Sequence, residues 1–530
     1  MFDVVVVGAG SAGCVLAHRL SADPKRKVAL LEAGGAQHRS FKVRAPGAWP
    51  DLWRTKLDWG LSTVPQQHAN NRRIYQPRGK LLGGSSCLNA LIYIRGHRDN
   101  YDEWRDLGNA GWGWSDVLPY FKKSEDNTRG ASEYHGTGGP LSVGDHPSPA
   151  PVCRAFAEAL AKQCNTRVTD DFNGAEQEGA GIFQHTVKSG ARCSTAVGFL
   201  DSVRDRANLT VITGAHALGL VLDGDRATGV RCRIGGSEQV IEGREIVLAA
   251  GAIGSPQLLL LSGIGPADEL RVTGIEPRHD LRGVGKHLED HLMALVYFEA
   301  NANATRKLTA ANMGWAALTY ALGGKGILAE APTHAGAFVK SRPEEPRPDI
   351  QFHMSPWGWL MPNSDEPRPR MWGRYAGFAP GLIYPKSQGE IRLASADPTA
   401  APLIDPRYFS NPADLEHLVN GIKLTREMTA RSPLREMLGA EIFPGPSVST
   451  DEQIREHVRA TCQTIFHPTG TCKMGNDKSA VVDSELRVHG IRGLRVADAS
   501  IMPRIVGGNT NAPVIMIAEK AADLIQSSSV

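Results

Sequence analysis

The stretch Val4-Val5-Val6-Val7-Gly8-Ala9-Gly10-Ser11-Ala12-Gly13 decides the reading of the fold, together with Val15, Leu16 and Leu20 at helical spacing and the run Val28-Ala29-Leu30-Leu31-Glu32. Four β-branched residues without polar alternation describe a strand buried on both faces. A glycine cluster follows at once and opens an amphipathic helix. A second apolar strand then ends on an acid, 19 residues after Gly13. A lone G-x-G-x-x-G carries little weight, but this one occupies the strand-to-helix turn of a βαβ unit, where each part has a task. Gly8 makes the turn, Gly10 lets the backbone approach a pyrophosphate, and Gly13 lets helix and strand pack closely. The helix N-terminus faces the phosphates, while Glu32 accepts hydrogen bonds from a ribose and repels a 2′-phosphate.

After Glu32 the alternation stops. Residues 34 to 77 are rich in Pro, Trp and polar groups without periodicity, whereas a nicotinamide-type domain continues with short αβ units. Further glycine clusters lie at Arg78-Gly79-Lys80-Leu81-Leu82-Gly83-Gly84-Ser85-Ser86-Cys87-Leu88-Asn89-Ala90, at Gly251-Ala252-Ile253-Gly254 and at Gly507-Gly508-Asn509-Thr510-Asn511. Small residues there let backbone N–H groups approach an anionic or planar ligand. The reading is one ligand site assembled from segments distant in the chain.

Composition narrows the class. In 530 residues, 59 Lys and Arg oppose 56 Asp and Glu, interspersed, so there is no electrostatic footprint for nucleic acid. With 41% hydrophobic and 22% charged residues the chain is neither disordered, collagenous nor a coiled coil. Glycine is in excess, 57 of 530, roughly 11% against an average near 7%. Eight scattered cysteines without a C-x-x-C pair predict reduced thiols and no metal centre. No basic region followed by an apolar stretch opens the sequence, and apolar runs such as Leu258 to Leu261 fall far short of the ~20 residues of a membrane span. A cytoplasmic protein is expected, with peripheral association to the inner membrane left open.

Four motifs in order resemble those of the glucose–methanol–choline (GMC) oxidoreductase family over nearly the whole chain. Residues 78–101 resemble its first signature and 251–265 its second. His135-Gly136-Thr137-Gly138-Gly139-Pro140-Leu141 is similar to a recurring loop, and His467-Pro468-Thr469-Gly470-Thr471-Cys472-Lys473-Met474-Gly475 to the segment with the active-site histidine. The tail from Asn509 to Lys520 looks most like choline-dehydrogenase-like and alcohol dehydrogenases.

The resemblance implies an α/β fold with a doubly wound FAD-binding domain (1–155, 205–290 and 455–530) and an antiparallel-sheet substrate domain (156–204 and 291–454). It implies FAD contacts at Gly8, Gly10, Ser11, Ala12, Gly13, Glu32 and Ala33 on the ADP half, and at Arg78, Gly83, Gly84, Ser85, Asn89 and Ala90 towards the flavin. Ala217 is implied at the adenine, and Ala250, Gly251, Asp498 and Ala499 around the ribityl and pyrophosphate. Asn511 and the helix after it would point a positive dipole end at the flavin.

Oxidising an alcohol requires a base for the hydroxyl proton and an acceptor for the carbinol hydride. Histidine has the matching unperturbed pKa, and by motif the base is His467. Asn509 matches the second active-site position, where an amide orients the hydroxyl and hydrogen-bonds the developing alkoxide. The expected partners are a small alcohol and a quinone-type acceptor or O2. Alternatives are an oxidase releasing peroxide and, from another class, a lyase or decarboxylase on the same fold.

Departures from the family pattern refine this. Leu88 stands where some relatives attach FAD through histidine, so FAD is expected to be non-covalent, with Cys87 a packed residue. His334, before Ala335-Gly336-Ala337-Phe338, replaces an acid that faces ammonium in choline-type relatives, which weakens choline as substrate. His287 and Glu289 replace the usual Asn and Gln before Asp290-His291. Trp357, Trp359 and Trp372 are candidates to line an apolar pocket, and Arg342 to Arg347 reads as a solvated loop.

Overall fold

The computed structural model describes residues 1–357 and 372–528. Strand Phe2–Val7 lies inside a seven-stranded sheet, as its unbroken apolar run requires, and Val4, Val5 and Val6 are wholly buried. It pairs in parallel with Val28–Glu32 and with the second half of Ser237–Leu248, Val5 standing opposite both Ala29 and Ile246. Leu209–Thr213 and Leu494–Val496 extend the parallel part. The first half of Ser237–Leu248 instead turns into an antiparallel ribbon with Arg226–Ile234 and His216–Asp223.

The opening motif folds as its residues dictate. Gly8 has φ +99°, open to glycine, and a Cβ on Gly13 would stand 1.8 Å from the Gly8 carbonyl oxygen. Helix Ser11–Leu20 can therefore lie close against the strand. It packs beside helix Asn511–Ser527, fastened by two hydrogen bonds of 2.7 and 2.8 Å from Arg19 to the buried carboxylate of Glu519.

A second, eight-stranded sheet is antiparallel throughout, with Leu438–Phe443, Val296–Ala300, Tyr375–Leu382, Ile350–Ser355, Ala335–Val339 and Gly179–Ile182 in that order. The period of two is plain in Ile350–Ser355. Ile350, Phe352 and Met354 join the core formed with helices Pro151–Gln163 and Pro412–Thr429, while His353 and Ser355 face the opposite side. The two-residue strand Leu292–Met293 pairs with Gln463–Thr464, Leu292 opposite Thr464. The fold is thus α/β, with a parallel dinucleotide-type sheet and an antiparallel one.

Two large hydrophobic cores follow the two sheets. Cys193, Ala196, Phe199 and Leu200 belong to the first, because helix Ser11–Leu20 needs a cover and Phe199 meets His18 edge-on at 5.7 Å. All eight cysteines are free thiols. Among the described residues no helix is long and apolar enough to cross a membrane. The variant Gly13→Ala is expected to lose about 3 kcal/mol of stability, because a Cβ there must displace backbone. Thermal unfolding checks this, and an unchanged Tm contradicts the close packing.

Candidate active site

Between the two sheets lies a cavity of about 480 Å³. Gly8, Gly10, Ser11, Ala12, Glu32 and Ala33 line it, as do Arg78, Gly84, Ser85, Asn89, Ala90 and Ala217. Ala250, Gly251, Asp498, Ala499 and Asn511 complete the wall, and His467 and Asn509 face the same space. Gly13 and Gly83 stand behind it: Gly13 packs on Gly8, and Gly83 on Cys87 and Ala196. The glycine clusters therefore meet. At Gly84, φ +51°, a Cβ would stand 2.6 Å from the Cα of Gly10.

Helices Ser11–Leu20, Gly251–Leu261 and Asn511–Ser527 all begin at this cavity without a side-chain cap. The first amide of the second is taken by the Asp498 carboxylate, and the starts of the other two suit an anionic group. The Ser11 hydroxyl donates to Asn511 Oδ1 at 2.7 Å, locking two of these helix starts together. Glu32 is buried and accepts from the amides of Ala9 at 3.1 Å and Gly34 at 2.8 Å. Burial pushes its carboxyl up to about 7, against the pull of those amides and of Lys80. The buried Asp498 accepts from the Gly251 amide at 2.8 Å, from the Ser255 hydroxyl and from both N and Oγ of Ser500, so it pins the Gly251 turn to the cavity wall. Arg78 donates through Nη2 to the Phe466 carbonyl at 2.8 Å, and its buried Nε has no protein partner. Uncapped helix starts, a buried carboxylate and an unused guanidinium N–H suit a long anionic ligand with a polar, planar end.

The end of the cavity that carries His467 is built on Asp290. Its Oδ1 accepts from the His467 amide at 2.8 Å, and its Oδ2 from the hydroxyls of Thr464 and Tyr408 and from Gln76. The buried carboxylate thus sets the loop that carries His467. The pairing of Leu292 with Thr464 brings His291 alongside, with 3.0 Å between the two Nδ1 atoms. His291 Nε2 lies 3.0 Å from the Ile383 carbonyl oxygen, which can only accept. Burial holds His291 neutral, with its pKa lowered to about 3. Its single proton is therefore on Nε2, its Nδ1 is an acceptor, and His467 must donate through Nδ1. Burial lowers His467 well below the ordinary histidine range, helped by His291, His353 and Arg78, so it is neutral too. Its Nε2 lone pair is left facing the cavity.

Asn509 completes the arrangement. Gln351 Nε2 donates to its Oδ1 at 2.9 Å, which turns its amide nitrogen to His467 Nε2, 3.4 Å away. His353 also lines the cavity, with both ring nitrogens buried and unpartnered and its pKa lowered to about 4 by burial. Sequence reasoning did not single out His291, Gln351 or His353. The signal for the last two was present as polar residues alternating with Ile350, Phe352 and Met354; that for His291 required the strand register.

Other residues are now explained. Glu289 is buried and accepts from the Ile505 amide at 2.7 Å, from Arg504 at 2.9 Å and from Gln388 at 2.7 Å, tethering the segment that leads to Asn509. His287, two residues before Glu289, takes φ +59°. His334 stands outside the cavity wall and stacks on His146, with 3.8 Å between ring centroids. His146, His334 and Glu330 bring possible ligand atoms within 4.8 Å of one another. Both imidazoles, however, accept a backbone N–H at Nδ1, from Ser148 and Ala150, which leaves the proton on the Nε2 a metal would need. Trp357 and Trp372 line a separate small cavity, and Trp359 lies outside the described residues. Leu88 lines the main cavity, and Cys87 is buried behind it.

The chain belongs to the GMC oxidoreductase family, whose N-terminal model matches residues 2–293 and whose C-terminal model matches residues 385–518. It is an FAD-dependent oxidoreductase acting on CH–OH groups. It is 43% identical to an alcohol dehydrogenase [acceptor] of Pseudomonas putida, over 99% of this chain and 96% of that one. An oxygen-dependent choline dehydrogenase of Sinorhizobium fredii is 40% identical over 99% and 95%. Among solved structures, pyridoxine 4-oxidase from Mesorbium loti superimposes with a TM-score of 0.90 at 31% identity, covering 100% of both chains.

Because burial lowers the His467 pKa, its basic form persists below the pH at which a free imidazole protonates. Activity is lost only as pH falls through that lowered value. The acid limb of kcat/KM is expected to have its midpoint below pH 6.5. A pH–rate profile checks it, and a midpoint above that value contradicts the buried neutral imidazole.

Proposed function

We propose that the protein oxidises a neutral primary alcohol to the aldehyde, holding FAD non-covalently and passing electrons to a quinone-type acceptor. The observation that carries this reading is the chain of contacts from the Ile383 carbonyl through His291 to His467 Nδ1, which leaves His467 Nε2 beside the Asn509 amide on the wall of the cavity. When bound, FAD supplies the acceptor for the carbinol hydride.

Each residue then has a role. Gly8, Gly10, Ser11, Ala12 and the start of helix Ser11–Leu20 hold the pyrophosphate, Glu32 and Ala33 the ribose, and Ala217 the adenine. Gly84, Ser85, Asn89, Ala90, Arg78 and Asn511 border the flavin, with Ala250, Gly251, Asp498 and Ala499 beside its chain, and Gly13 and Gly83 shape the wall from behind. The Asn509 N–H donates to the substrate oxygen while His467 Nε2 accepts the hydroxyl proton. His291 keeps the His467 ring in the tautomer and orientation that make this possible. His353 is placed to give the substrate oxygen a second polar contact. The catalytic cycle closes as His467 releases its proton, which its lowered pKa favours.

Several features support a neutral, apolar alcohol. Glu32 and Asp498 are the only carboxylates lining the cavity among the described residues, and both are engaged by backbone amides. Met293, Leu295, Tyr297, Ile465, Trp49 and Trp53 line its walls. His334, where choline-type relatives carry an acid, is outside them. Leu88 offers no atom to attach FAD, and the Cys87 thiol is pushed up to about 11 by burial. The choice of a dehydrogenase over an oxidase follows the resemblance of the tail and the 43% identical Pseudomonas putida protein, whose name gives an acceptor without specifying it. We propose also that the FAD and substrate domains interleave along the chain as the two cores do.

The test is a panel of alcohols with an artificial dye, run beside a peroxide assay. Dye reduction without peroxide is expected; peroxide formation identifies an oxidase instead, and product without flavin bleaching identifies a lyase. The variant His467→Ala is expected to keep FAD and to slow anaerobic flavin reduction by about 10²–10⁴-fold. His291→Phe is expected to lower kcat by about 10²-fold while KM and flavin content hold, the mark of a positioning residue. Glu32→Ala is expected instead to weaken FAD retention, read as flavin content after dialysis; unchanged content contradicts the ribose role.

A further inference from the structure

Helix Ala310–Gly323 is apolar on both faces, and from Leu308 to Gly324 the sequence has no charged residue. Its inner face is accounted for: Ala316 and Tyr320 pack with Ala45, Ala48, Leu328 and Ala329. Its outer face turns Trp315, 67% exposed, Leu318, 47%, and Leu322, 80%, to solvent as one stripe at helical spacing. Phe41, 46% exposed, adds to the stripe by packing edge-on to Tyr320 at 5.3 Å. A helix meant to face water carries charge there, and a contiguous apolar patch of this kind marks an interaction surface.

The surroundings say what covers it. Lys42, Arg44, Lys188, Arg306, Lys307 and Lys325 are exposed on the segments around the helix. Those segments, 41–49, 187–190, 304–309 and 324–332, hold one carboxylate, Glu330, which is buried and 3.6 Å from Arg306. A second copy of this face would set cation against cation, whereas an anionic bilayer is complementary in both charge and polarity.

We propose that this face docks on a bilayer containing anionic phospholipid, with Trp315, Leu318, Leu322 and Phe41 in the headgroup region and the basic side chains on the phosphates. The position has a use. Under the helix, Leu308, Met313, Ile327 and Leu328 line a small apolar cavity, and Pro332 lines both it and the active-site cavity. The docked face therefore lies over a cavity that shares a wall residue with the active-site cavity. This deepens the reading of the acceptor as a lipid-soluble quinone and rests on that reading for its purpose.

Purified holoenzyme is floated with vesicles of phosphatidylcholine alone and of phosphatidylcholine mixed with phosphatidylglycerol. Co-flotation with the mixed vesicles is expected, falling at least about tenfold on neutral vesicles or in high salt. The double variant Trp315→Glu, Leu322→Glu is expected to lose about tenfold or more of that binding while keeping flavin content and turnover with a soluble dye. No flotation of the wild type, or equal flotation of wild type and variant, overturns the proposal. So does a wild-type dimer that the double variant dissociates without any vesicle binding. Binding without reduction of a vesicle-embedded quinone upholds the docking face and removes the acceptor reading, so the two failures are distinguishable.

Discussion

The carbonyl oxygen of Ile383 has only lone pairs to offer, and the chemistry of the site depends on that restriction. It requires a proton on His291 Nε2, which makes His291 Nδ1 an acceptor and requires a proton on His467 Nδ1. A proton at His467 Nε2 would need a second, buried charge with no carboxylate hydrogen-bonded to either ring. The protein thus fixes which nitrogen of His467 is left unprotonated by fixing, two steps away, where a proton must be. The function we propose uses that nitrogen as the base at the alcohol, with Asn509, oriented by Gln351, beside it.

The same site is held together by buried acids whose burial raises their pKa and is offset in part by multiple donors. Asp290 gathers the His467 amide, Thr464, Tyr408 and Gln76; Glu289 gathers Ile505, Arg504 and Gln388; Asp498 gathers Gly251, Ser255 and Ser500. An ionised carboxylate left unpaired at such depth is costly, but a hydrogen bond to a charged group contributes about 1.5–3 kcal/mol. Each acid ties a loop carrying a functional residue to a loop from elsewhere in the chain. The active site is rigid because its polar groups have few alternatives.

Much of this was legible in the sequence, for reasons that differ by residue. The unit from Phe2 to Glu32 was readable because strand, turn and helix are neighbours and the glycines have local causes. The cavity wall was readable because a backbone that approaches a ligand tolerates only small residues, and Gly10, Gly84 and Gly251 advertise this. Gly13 and Gly83 fell just behind the wall because glycine is equally needed where backbone meets backbone. His291 was not readable as the partner of His467, 176 residues away, because only the register of Leu292 on Thr464 joins them. His334 drew notice by its place in a motif, yet its ring stacks on His146 away from the cavity, a contact no local pattern encodes.

The most direct measurement is of the proton itself. Nitrogen-15 NMR of the histidine-labelled holoenzyme at neutral pH, with His467 assigned by its loss in His467→Ala, reads which ring nitrogen carries hydrogen. The account predicts a neutral ring protonated at Nδ1, with Nε2 showing the shift of an unprotonated nitrogen. A proton on Nε2, whether in the other neutral tautomer or in an imidazolium, would contradict it.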